Sequence, residues 1–98
     1  MHIEEFKEAV KKPKIPELEN NDLLKALWFD ANDDWSRAHS IVQRIPTKMA
    51  SRIHAYLHRK EGDMSNASYW YHHARVTYPT YSFDEEWGIL VELALDSN

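Results

Sequence analysis

The chain has 98 residues, 43% of them hydrophobic, with four tryptophans, five tyrosines and three phenylalanines. That length fits one small domain with a modest core, and the composition excludes a disordered chain. A formal net charge of −4 excludes a basic nucleic-acid surface, and the lack of cysteine excludes a disulfide framework, a thiolate metal site and a cysteine nucleophile.

The opening segment MHIEEFKEAVKK is charged throughout and lacks the apolar centre of a secretory signal. No apolar run approaches the ~20 residues that span a bilayer. A soluble cytoplasmic protein, without nucleic-acid or membrane partners, is the expectation. Two glycines, four prolines and almost no alternating pattern point to an all-α chain.

Ile3, Phe6 and Val10 have helical spacing and define an N-terminal helix over 1–12. Pro13 and Pro16 make 13–19 an extended connector. Asn20, Asn21 or Asp22 caps a second helix, whose Leu24, Leu27, Trp28 and Ala31 follow the i, i+3, i+4, i+7 template. Asp33 or Asp34 caps a third, with Trp35, Ala38, Val42 and Ile45 in a stripe stopped by Pro46. Thr47 caps a fourth, with Ala50, Ile53, Leu57 and Glu61 along one face. Gly62 suits the left-handed residue that ends it. Asp63 caps a fifth, carrying Ala67, Trp70, Tyr71 and Ala74. Ser82 and Glu85 read as a capping box for a sixth over 82–96, with Phe83, Trp87, Leu90, Val91 and Ala94 inward. Gly88 inside that helix costs about 1 kcal/mol against alanine and is expected to mark close packing. Short loops between most helices force antiparallel neighbours, so about six helices form a stack of hairpins in one domain.

Ala55, Gly62-Asp63, Ala67, Tyr71, Ala74 and Pro79 resemble the pattern of a tetratricopeptide (TPR) repeat. Ala26, Phe29, Asp33, Ala38, Val42 and Ile45 echo it, 29 residues earlier against a family period of 34. The chain departs from the pattern at His54, where the family prefers leucine, and at His58, where it prefers a large aromatic. The chain also looks like small uncharacterised bacterial proteins carrying HAYLHR-EGD-NA-YWY. The TPR resemblance implies two hairpins over 20–79, with the 82–96 helix as a cap. It also implies a non-catalytic interaction module in which the first helix of each hairpin lines a concave groove. On that basis Arg52, Tyr56 and Arg59 become the expected patch for a protein or acidic peptide. The wide stripe of the sixth helix, with Ile89, Leu93 and Leu95, leads to an expected homodimer.

Four of the six histidines fall within 54–73. His54 and His58 share a helix face. Counting equal distances from Asp63 along two antiparallel helices sets His54 across from His72. A second reading follows: a metal-binding protein, or a metal-dependent hydrolase, using His54, His58 and either His72 or His73, with zinc as the cofactor. Glu61 and Asp63 stand close enough to add a carboxylate. HAYLH lacks the glutamate that a zinc-protease helix places after its first histidine. The alternative role for these histidines is structural, with His54 buried and bonded to Tyr69, Tyr71 or Tyr78. Asp30, Asp33 and Asp34 lack calcium-loop spacing and read as helix caps. The run from Tyr69 to His73 has little positive charge for base stacking. No phosphate loop, nucleophile elbow or cofactor motif occurs.

Overall fold

In a computed structural model, residues 1–18 and 21–96 are described, and they form six helices and no strand. The helices are α1 (Ile3–Val10), α2 (Asp22–Ala31), α3 (Trp35–Val42), α4 (Lys48–Glu61), α5 (Met64–Ala74) and α6 (Phe83–Asp96). Asn20, one of three candidate caps, lies outside the described residues. Asn21 does the capping, its side-chain oxygen accepting from Leu24 N–H at 3.1 Å. Asp34, Thr47 and Asp63 cap α3, α4 and α5 in the same way, and Ser82 accepts from Glu85 N–H.

The two hairpin turns share one hydrogen-bond pattern. Gly62 ends α4 at φ +88°, and Asp63 N–H returns to His58 O at 2.9 Å. Asp33 takes the corresponding place after α2 at φ +61°, and Asp34 N–H returns to Phe29 O at 2.9 Å. Both are left-handed closures that satisfy the last carbonyls of a helix. At the first turn a short polar side chain stands in for glycine. α3 ends at Val42, earlier than its apolar stripe suggests, and Ile45 N–H instead makes a turn to Val42 O. Pro46 explains this, because the residue before a proline is pushed out of the helical region.

α4 and α5 pack along their length, as do α2 and α3, and α6 lies across α1, α2 and α4. Ala55 and Ala67 are fully buried between α4 and α5, so the two backbones approach closely, with Tyr71 packed beside them. The main core joins Phe6, Leu27, Ile53, Leu57, Leu90 and Val91. Two indoles hold the outer helices by hydrogen bonds: Trp28 Nε1 donates to Ala9 O at 2.9 Å, and Trp87 Nε1 donates to Leu27 O at 3.1 Å. Phe6 stacks on Trp87 with centroids 5.8 Å apart.

Two expectations for α6 are corrected. Phe83 is 41% exposed rather than inward, covered on one face by the Arg59 guanidinium 4.5 Å from its centroid. Gly88 does not mark close packing, since a Cβ built on it meets nothing within 4 Å. Its position in the helix interior therefore carries the intrinsic cost of glycine without a packing gain. Gly88→Ala is expected to raise unfolding free energy by roughly 0.5–1 kcal/mol, read as a higher urea midpoint at unchanged slope. A lower midpoint would mean that a close neighbour occupies that face.

Candidate functional site

The fourth helix presents different chemistry on two faces. His54 and His58 lie one turn apart and point toward α3 and α5. Tyr56 and Lys60, two residues on from each, are rotated by ~200° and point toward α2.

On the histidine face, His39 of α3 completes a cluster with His54 and His58. One ring nitrogen from each lies within 4.8 Å of the other two, and His54 and His58 are buried. The closest pair is Nε2 of His39 and Nε2 of His54, 3.0 Å apart. Two N–H groups cannot face each other at that distance, so the pair shares one proton. Both rings resist gaining another. Burial, then the neighbouring His39 and His58, push His54 down to about 4. Burial and His58 also lower His39, against the opposing pull of Glu61. His58 Nδ1–H donates to the Glu61 carboxylate at 2.5 Å, so the neutral form of the ring has its lone pair on Nε2.

Indole rings wall the cluster. Trp35 stacks on His39 with centroids 4.6 Å apart and stands edge-on to His58. Its own Nε1 donates to Leu57 O at 2.8 Å, which fixes the ring. Trp70 stacks on His54 at 4.1 Å. His58, Glu61 and Asp63 form a second, more exposed group of possible ligands. In that group Asp63 also serves as a cap, its carboxyl lowered by hydrogen bonds from the Asn66 side chain and backbone.

His72 stands apart from this cluster and is exposed, as is His73, which stacks on Tyr69. The residue of α5 that faces His54 is Trp70. The hairpin therefore folds about Gly62 rather than Asp63, which moves the partner of His54 by two residues. Two residues turn an α-helix through ~200°, so the shift sends His72 to the opposite face. The third histidine comes from α3 instead. The signal for His39 in the sequence is its position one turn after Trp35, at the edge of the α3 stripe. His54 meets none of the three tyrosines considered as partners; Tyr71 OH donates to Glu86 at 2.6 Å.

On the other face, Tyr56 is 2% exposed and its OH donates to Asp30 at 2.7 Å. Lys60 reaches the same carboxylate at 2.9 Å. Burial and then the Asp30 charge push the Tyr56 phenol far above its ordinary value. Of the three aspartates read as caps, Asp34 caps, Asp33 makes the turn and Asp30 is a buried acceptor. Arg59 is not part of an open patch. It donates to Glu86 at 2.8 Å and to Tyr81 O, while Arg52 is half-buried. A cleft of about 790 Å³ opens between α1, α2, α4 and α6 beside Tyr56 and Lys60.

The histidine cluster gives the protein a definite pH response. Free histidine takes up a proton near pH 6.5, whereas folded His54 refuses it until about pH 4. The folded-state value is depressed, so this stability is full above pH 6.5 and is lost as pH falls toward 4. Denaturant titrations at about pH 7 and about pH 5 are expected to show lower stability at the lower pH, with a smaller drop in His54→Gln. An equal drop in both proteins would assign the loss to other groups.

Comparison with protein-family models, with curated proteins and with solved structures found no match for this chain.

Proposed function

We propose that the chain is a non-catalytic interaction module of helical hairpins, which docks a peptide or protein segment in the cleft shared by the first helices of its two hairpins. The cleft itself carries this reading. Its walls include Asp30 and Ala31 from α2 and Tyr56 and Lys60 from α4, the elements that line the groove in the TPR arrangement the sequence resembles. α1 and α6 narrow it from the sides with Val10, Phe83 and Trp87. About 790 Å³ lies in the ordinary range for a ligand cleft.

The charges favour a basic partner over the acidic one expected from the sequence. Five carboxylates and three lysines line the cleft. Lys7 pairs with Glu4, Lys11 with Glu8 and Lys60 with Asp30. Asp33 and Asp84 are left facing the cleft with no ion pair among the described residues. Arg59, counted toward an acidic partner, is neutralised by Glu86. A short segment with an arginine or lysine next to an apolar side chain matches this surface.

A capped arginine–leucine peptide titrated into isotopically labelled protein is expected to move amide signals of α1, Asp33, Lys60 and the start of α6. The double change Asp33→Asn/Asp84→Asn is expected to weaken binding roughly 3- to 10-fold. Asparagine tolerates the left-handed backbone at 33, so the turn survives. A matched glutamate–leucine peptide binding equally well would overturn the charge assignment.

A homodimer is supported by a separate observation. Ile89 and Leu93, each 37% exposed, lie one turn apart on the outer side of α6. Light scattering at high concentration is expected to show a mass above the 11.6 kDa of one chain, and Leu93→Lys is expected to return it to that value. A monomer at all concentrations removes the dimer.

A further inference from the structure

The cleft leaves the histidine face of α4 without a role. His54 and His58 lie four residues apart on one helix, the spacing that lets two imidazoles reach one ion. His39 enters from α3, and a ring nitrogen of each lies within 4.8 Å of the others.

We propose that His39, His54 and His58 form a transition-metal site. It would take a borderline divalent cation such as Zn²⁺, with the fourth coordination position filled from outside the chain.

Two features of the cluster suit an ion. The first is distance. Zinc–nitrogen bonds of ~2.0–2.1 Å at tetrahedral angles put ligand nitrogens about 3.4 Å apart. His39 and His54 stand at 3.0 Å and all three lie inside 4.8 Å, so small ring rotations close the set. The second is orientation. Glu61 accepts from the Nδ1–H of His58 at 2.5 Å, so the neutral ring keeps its lone pair on Nε2, the carboxylate–histidine arrangement of many zinc sites.

The donor set selects the metal. Three nitrogens with no thiolate favour zinc, nickel, copper or cobalt over magnesium and calcium, which prefer oxygen. The stacked indoles of Trp35 and Trp70 cover two of the imidazoles and fix their planes. Among the described residues no fourth histidine, aspartate or glutamate joins this group. Glu61 lies across the His58 ring from the ion, so it is a positioning residue rather than a base for bound water.

The test is isothermal titration of Zn²⁺ into tag-free, chelator-treated full chain. One-to-one binding at sub-micromolar Kd is expected. His39→Gln is expected to weaken it at least 100-fold and Glu61→Gln by roughly 10- to 100-fold, while His72→Gln leaves it unchanged. Wild-type binding no tighter than about 100 µM overturns the site, as does a loss in His72→Gln equal to that in His39→Gln. X-ray absorption of the wild-type zinc complex keeps the test independent of how the variants fold. Three imidazole scatterers support the assignment, and one or two overturn it. The peptide titration reads the opposite face of α4, so the site and the cleft fail or stand separately.

Discussion

One buried carboxylate organises the molecule. Glu86 of α6 is completely shielded from solvent and takes Arg59 from α4 and the Tyr71 hydroxyl from α5. A charge in that position is tolerated only because it is paired and hydrogen-bonded. Losing one partner of such a pair costs roughly 3–5 kcal/mol. The network locks α6 against the second hairpin, and α6 in turn carries Trp87 to α2 and Phe6. It also removes Arg59 from the surface, since the same guanidinium serves Glu86, the Tyr81 carbonyl and the Phe83 ring. Burial and the Glu86 hydrogen bond together hold the Tyr71 phenol protonated, well above its ordinary value.

The fourth helix shows how one helix can serve two environments. Its apolar residues Ile53 and Leu57 enter the core, while polar residues at 54 and 58 and at 56 and 60 fall to either side of that stripe. Most find a partner on another element, α3 for His54, α2 for Tyr56 and Lys60 and α6 for Arg59, while His58 bonds Glu61 of its own helix. Of the side chains expected in an open binding face, Tyr56 and Arg59 are joints of the fold, while the buried Nε of Arg52 has no hydrogen-bond partner among the described residues.

Local information was sufficient for the helices, since caps, breakers and the 3.6-residue period act within a few residues. Asn21, Asp34, Thr47 and Asp63 cap as their types imply, and the small residues at 55 and 67 lie where two backbones meet. What depends on how helices meet was not legible. The partner of Arg59 is 27 residues away, at a position where glutamate would ordinarily be assigned to solvent. His39 was missed because no local pattern says which side of α3 rests on α4. His72 was misplaced because an error of one residue in the centre of a turn moves the partner by two, about a half-turn of rotation on the following helix. Gly88 carried no readable signal, because a glycine with open space beside it looks the same in sequence as one pressed against a neighbour.

The stacking of Phe6 on Trp87 has a kinetic meaning. Each hairpin is joined by a tight turn and can form from residues close along the chain. The first and last helices meet only by closing a loop of some 80 residues. By the logarithmic dependence of closure entropy on loop length, that contact costs about 2 kcal/mol more than closing a ten-residue loop. It is repaid only once the intervening hairpins have shortened the path. The ends of the molecule thus act as a clasp, fastened after the middle has formed and the first part to come undone.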